Sequence, residues 1–235
     1  MIKTLTHGGR TAWIAGHICR FLELPDAQRV SIEAAARTHD VGKLLVDRRI
    51  LEKASSLDAA ERASMNMHCV LGATTLALQP MDEQEQSEAV LVALLHHEWW
   101  DGTGYPFGIR GKDIPLSARI AAVADVFDAL TSQRHYKPAW STDVALTYIT
   151  QRSGTQFDPR CVHALTCVME VWGRFWRRNL RMSIEHDDPF FADFQLPSLP
   201  ALGDLSEVQR RLRRHIDGRG QRASAGVHDG HHHAE

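Results

Sequence analysis

Two adjacent pairs of metal-competent side chains, His39-Asp40 and His96-His97, close the apolar stretches SIEAAART and EAVLVALL. Burying an aspartate beside a histidine is costly unless a cation or hydrogen bonds offset it. Taken alone, His39-Asp40 reads as a helix-terminal histidine with a solvated aspartate. Neighbouring helical residues project about 100° apart, so His96 and His97 can grip one ion only at a helix end or around a curved wall. His68 lies in MNMHCVLGATTL and Asp125 in RIAAVADVFDAL. Singly they read as a satisfied core histidine and as the partner of an arginine such as Arg119 or Arg134. Together, on separate apolar helices, they point to metal. Three or four imidazoles with two aspartates, one able to bridge, suit Fe, Mn or similar ions better than a cysteine-rich structural zinc site. A water shared by such ions would have its pKa lowered toward neutrality.

The elements that must position these groups read as helical throughout, because apolar residues recur at three and four and no sustained period of two appears. The fold class is therefore all-α, with helices expected at about 2–23, 28–41, 58–79, 84–97, 115–132, 141–153 and 159–178. Pro25 breaks the first, and Pro115 and Pro159 suit first-turn positions, the latter behind the N-cap candidate Asp158. Two long connections remain, about 43–57 and 98–114, and connections of that length are usually functional.

The 235 residues, 43% hydrophobic and 24% charged, suffice for one large domain or a domain with an appendage. No apolar run approaches the roughly 20 residues that span a bilayer, and MIKTLTHGGR lacks a signal-peptide core, so a cytoplasmic home without membrane attachment is expected. The four cysteines show no metal-ligand spacing and read as reduced thiols. A net charge of −2 gives no reason to expect a nucleic-acid partner. The expected organisation is a catalytic domain over 1–178 and an extension over 179–235. The extension comprises a proline-rich linker, a short helix near SEVQRRLRRHI with a solvated arginine face, and a flexible end whose His231 to His233 bind metal only adventitiously. Trp99 and Trp100 read as loop packing, with stacking on a guanine as the minority reading.

The ordered words His39-Asp40-x-Gly42-Lys43, His68 with Gly72, His96-His97-Glu98, Asp101-Gly102-Thr103-Gly104-Tyr105-Pro106, Ile114-Pro115, Ala118-Arg119-Ile120, Ala124-Asp125, Phe127-Asp128-Ala129-Leu130, Arg134, Tyr136-Lys137 and Phe157-Asp158-Pro159 resemble the HD-domain phosphohydrolases. Within these they resemble the HD-GYP family of cyclic-di-GMP phosphodiesterases. The resemblance covers about residues 3–172. It implies an HD-domain helical bundle with a long GYP loop and a metal-dependent phosphodiesterase that opens cyclic-di-GMP to the linear dinucleotide. Whether it continues to GMP stays open, as does action on another nucleotide or phosphoester, or a weakly catalytic partner-binding role.

By the same resemblance His7, His39, Asp40, His68, His96, His97 and Asp125 are the metal ligands, with Asp40 as the bridge. Lys43 contacts the scissile phosphate, and Tyr105, Arg134 and Lys137 line the substrate groove. Asp128, or a water, protonates the leaving oxygen. Many members carry a glutamate one helical turn before the first ligand, supporting a third ion. Lys3 stands there here, so two divalent ions, Fe or Mn, are expected, with Asp128 freed to pair with Arg134 or Arg119. Members usually carry a sensory or receiver domain ahead of this one, whereas this chain begins almost at the first ligand, so the expectation is either a free-standing hydrolase or one regulated by a separate protein.

Overall fold

The computed structural model describes residues 6–133 and 138–179, with side chains as far as Val171, all within the compact unit Met1–Leu196. Regular structure there is helical. It comprises α1 (His7–Phe21), α2 (Asp26–Thr38), a 3-10 turn (Val41–Leu45), α3 (Arg48–Leu51), α4 (Ala59–Asn66), α5 (His68–Ala77), α6 (Glu83–Leu95), a second 3-10 turn (Gly111–Asp113), α7 (Leu116–Thr131), α8 (Thr142–Thr150) and α9 (Pro159–Asn179). An isolated bridge joins Ser153 and Phe157. Among the described residues no helix is long and apolar enough to cross a membrane.

Helix α7 runs through the middle of the core. Its small residues Ala118, Ala121 and Ala124 are wholly buried, as are Ile120, Val123 and Phe127, so neighbouring backbones approach closely. Burial of a side chain such as Phe127 or Ile120 stabilises by about 1.5–3 kcal/mol each. Helices α1, α2, α6 and α9 contribute Ile14, Ile18, Ile32, Val92 and Leu165 to the same cluster.

Three expectations are corrected. The first helix does not run back to residue 2: Thr6 is extended (φ −67°, ψ 170°) and caps α1 by accepting from the Gly9 amide. Lys3 itself lies outside the described residues. The helix expected over 58–79 divides at Met67 into α4 and α5. The connection expected over 43–57 holds the end of the first 3-10 turn and the four-residue α3, capped by Asp47 accepting from the Arg49 amide. The expected linker and terminal helix beyond residue 179 lie outside the described residues.

Candidate metal centre

The helix ends explain how the imidazoles are aimed. The last carbonyls of a helix have no partner within it. His39 follows the end of α2 and donates from Nδ1 to the Ala36 carbonyl at 2.7 Å. His68 follows the break after α4 and donates to the Met65 carbonyl at 2.7 Å. His96 follows α6 and donates to the carbonyls of Val92 and Ala93 at 3.0 and 3.1 Å. Each bond fixes the tautomer and turns the basic Nε2 inward, the usual support of a metal-bound histidine.

His7 opens α1 and is held differently. Its Nδ1 lies 2.7 Å from Asp128 Oδ2, while Nε2 lies 3.1 Å from Asp125 Oδ1 and 3.7 Å from Asp40 Oδ2. Asp128 is wholly buried and also accepts from Arg10 Nε at 2.6 Å, Arg10 Nη2 at 3.0 Å and the Ser132 hydroxyl at 3.3 Å. The expected pairing of Asp128 with Arg119 is thereby corrected. Arg119 bonds Asp158 Oδ2 at 2.6 Å and the Ile114 carbonyl at 2.8 Å, and Arg134 lies outside the described residues. The arginine partner considered for Asp125 is also replaced, by His7 and His39.

Asp40 stands between two groups of imidazoles. Its Oδ2 faces His39 Nε2 at 3.3 Å and His7 Nε2 at 3.7 Å, and its Oδ1 faces His68 Nε2 at 3.5 Å and His96 Nε2 at 3.7 Å. Donor atoms of His7, His39 and Asp125 lie within 4.8 Å of one another; so do those of His39, Asp40 and His96, and those of His68, Cys69, His96 and His97. Asp40 Oδ1 and His39 Nε2 are buried and make no hydrogen bond. Two such orphaned atoms facing converging donors are costly in a dry site and are satisfied by cations.

The electrostatics divide the site. Burial pulls the His39 imidazole down, but the carboxylates of Asp40 and Asp125 more than offset this and hold it up to about 10. His7 is raised on the same balance, by Asp125 and Asp128. Burial also pulls His97 down to about 3 and His96 well below its ordinary value, the neighbouring imidazoles adding to it. Burial would raise Asp40, yet Lys43 and His39 hold it well below the usual carboxylate range. The neutral imidazoles of His96 and His97 and the ionised carboxylates are already in the forms that bind metal, whereas His39 must first give up a proton.

Solvent reaches this centre past His7, Asp40 and Asp125, whose side chains are 15%, 17% and 14% exposed, and past the half-buried His97, whereas His39 and His68 are each 1% exposed. Lys43 leans over that mouth with Nζ 2.5 Å from Asp40 Oδ2. Gly42 makes the approach feasible, since a Cβ there would lie 2.0 Å from the His68 carbonyl oxygen and 2.4 Å from the Gly72 nitrogen. Tyr105 stacks on His97, ring centres 4.8 Å apart, and its amide donates to the His97 carbonyl. Glu98 accepts from the Phe107 amide at 2.7 Å, and the amides of Trp100 and Asp101 donate to the carbonyls of Gln156 and Thr155, tying down the 98–114 connection. Trp99 is partly exposed and Trp100 lies under the Arg119 guanidinium.

All seven expected ligands converge, with Lys43 and Tyr105 beside them; Arg134 and Lys137 lie outside the described residues. Sequence reasoning missed Arg10, whose partner is 118 positions away, and Cys69, whose Sγ lies 3.5 Å from His68 Nε2. The adjacency of Cys69 to His68 was the available signal for the second.

The model of the family described as HD domain matches residues 3–161. The chain is 44% identical over 156 residues to the cyclic di-GMP phosphodiesterase response regulator RpfG of Xanthomonas campestris, covering 66% of this chain and 41% of that protein. It is 36% identical over 173 residues to 3'3'-cGAMP-specific phosphodiesterase 2 of Vibrio cholerae, covering 74% and 32%. It is 35% identical over 186 residues to a cyclic di-GMP phosphodiesterase of Thermotoga maritima, covering 79% and 50%. The chain thus spans half or less of the length of these relatives. An HDGYP protein of Bdellovibrio bacteriovorus shares the fold with a TM-score of 0.57 at 18% identity, over 70% of this chain and 51% of that one. A cyclic GMP-AMP-specific phosphodiesterase of V. cholerae does so at 0.54 and 22%, over 86% and 55%.

Proposed function

The chain belongs to the HD domain family, as its motifs led one to expect, and we propose that it is a metal-dependent phosphodiesterase that opens cyclic-di-GMP to the linear dinucleotide. The observation that carries this reading is the place of Asp40, whose two oxygens face different groups of imidazoles. Two divalent ions, Fe or Mn, fit that arrangement. His7, His39 and Asp125 would hold one, and His68, His96 and His97 the other, with Asp40 between them. Bound there, the ions supply Lewis acidity toward the phosphoryl oxygens and lower the pKa of the attacking water.

The protein's own groups do the rest. Lys43, at the exposed mouth, meets the scissile phosphate and neutralises charge developing on its oxygens during in-line displacement. Tyr105 holds the ring of His97 and presents its other side to the groove. Arg134 and Lys137 complete the anion-binding wall by resemblance. Asp128 holds His7 in place through Nδ1. Buried and satisfied by Arg10, it has no path to a leaving oxygen, so water delivers that proton. The same saturation leaves Asp128 no lone pair suited to a third ion, which supports a dinuclear centre independently of Lys3.

Relatives named for cyclic di-GMP and for 3'3'-cGAMP make the latter the second substrate to test. Protein reconstituted with Mn(II) or Fe(II) should hydrolyse cyclic-di-GMP faster than 3'3'-cGAMP, and both far faster than p-nitrophenyl phosphate. A preference for the monoester would overturn the reading.

A further inference from the structure

The phosphodiesterase reading leaves unused a thiol buried within its own centre. Cys69 is the second residue of α5, is 0% exposed, and places Sγ 3.5 Å from His68 Nε2. His68 Nε2 is in turn 3.4 Å from His96 Nε2, and donor atoms of Cys69, His68, His96 and His97 lie within 4.8 Å of one another. A tetrahedral ion with metal–nitrogen bonds of about 2.0–2.1 Å has nitrogen–nitrogen edges of about 3.4 Å, and a sulfur at about 2.3 Å lengthens the mixed edge to about 3.6 Å. The two shortest separations here match those edges. An independent observation points to the same spot. Asp40 Oδ1, a buried oxygen without a hydrogen bond, lies 3.5 and 3.7 Å from the Nε2 atoms of His68 and His96.

We propose that Cys69 is a sulfur ligand of the ion held by His68, His96 and His97, and that it makes this position favour Fe(II) or Zn(II) over Mn(II). The inference rests on the metal-centre reading above. On binding, the S–H bond gives way to a metal–sulfur bond and the proton leaves to solvent. The other position, built from His7, His39 and Asp125, offers only nitrogen and oxygen. The two halves of the centre therefore differ in softness, and thiolate is the donor that discriminates most strongly against Mn(II). A cysteine serving only as a small apolar filler would affect neither spectrum nor selectivity.

Cobalt(II) substitution of the full chain tests this without reference to turnover. Wild-type protein should show sulfur-to-cobalt charge transfer in the near ultraviolet together with visible ligand-field bands. Cys69→Ser should lose the former and keep the latter, with Cys19, Cys161 and Cys167 left in place as internal controls. In competition titrations, the preference for Zn(II) over Mn(II) should fall by about tenfold or more in Cys69→Ser, and likewise in Cys69→Ala should the serine variant fold poorly. Ligand-field bands without a sulfur band in the wild type, or a sulfur band that survives the substitution, overturns the inference while leaving the metal-centre reading intact. Absence of any bound cobalt overturns both.

Discussion

Arg10 and Asp128 form a fully buried ion pair, with Nε to Oδ1 at 2.6 Å and Nη2 to Oδ2 at 3.0 Å, and the same carboxylate holds His7 Nδ1 at 2.7 Å. The pair joins α1 to α7 and sets the ring of a ligand that stands at the first residue of its helix. Without it, His7 would have one end of its ring free at a helix terminus, where fraying is cheapest.

The two halves of this pair should therefore fail differently. Arg10→Met leaves a buried carboxylate without its cation and should destabilise the fold by about 3–5 kcal/mol, read as a lowered melting temperature. Asp128→Asn keeps shape but weakens the grip on His7. It should keep most of the helicity while lowering metal affinity by about 10–100-fold in equilibrium titrations. Equal metal affinity in Asp128→Asn and wild type would show that Asp128 does not act through His7.

The glycines separate the metal site from the loop above it. Gly42→Ala would push its Cβ into the backbone of His68 and Gly72, neither of which can yield as a side chain does. Overpacking of this kind costs about 1–3 kcal/mol, and it moves Asp40 away from α5, so thermal stability and metal content should fall together. At Gly104 a Cβ would lie 2.2 Å from the Trp99 nitrogen and 2.5 Å from the His97 carbonyl oxygen. Gly104→Ala should displace Tyr105 and raise KM several-fold with metal content nearly unchanged. Metal loss in both variants would mean that the 98–114 loop is part of the metal scaffold.

The converging histidines and aspartates were legible in the sequence because their surroundings are apolar: a His-Asp or His-His pair ending an alanine- or leucine-rich helix is an anomaly visible without coordinates. What stayed hidden depends on distant backbone. The break at Met67, which lets His68 find the Met65 carbonyl, lies inside an unbroken helical pattern. The partner of Asp128 was misjudged because proximity in sequence favoured arginines on its own or the following segment, whereas packing of α1 on α7 supplied Arg10. Cys69 went unnoticed because the spacing of the four cysteines was weighed against one another and not against the neighbouring histidine.

Asp40→Ala should abolish hydrolysis of cyclic-di-GMP and lower bound metal, with far-ultraviolet circular dichroism nearly unchanged, because Asp40 follows α2 and precedes the 3-10 turn, with its side chain in neither helix's core. Substantial activity in metal-free Asp40→Ala protein would remove the basis for a metallohydrolase.

The last prediction concerns protons. His39 is held up to about 10 and His7 is raised, both by facing carboxylates. Their contribution to the stability of the metal-free fold is fully present below the unfolded value near 6.5 and is lost as pH rises through the folded values. His97 is pulled down to about 3 and His96 is lowered too. There the unfolded chain takes up protons that the folded one refuses, so stability falls as pH drops from about 6.5 toward 3. Metal binds only the neutral imidazole, so loading near pH 7.5 must expel the proton of His39. Affinity should then rise with pH across the window from about 6.5 to 10, about tenfold per unit for each proton displaced. In Cys69→Ala protein, which has no thiol proton to release at this centre, calorimetry in two buffers of different ionisation enthalpy should report a release of about one proton per chain on loading. Heats that do not depend on the buffer would mean that this imidazole is already neutral, and that the carboxylates do not hold it charged before metal arrives.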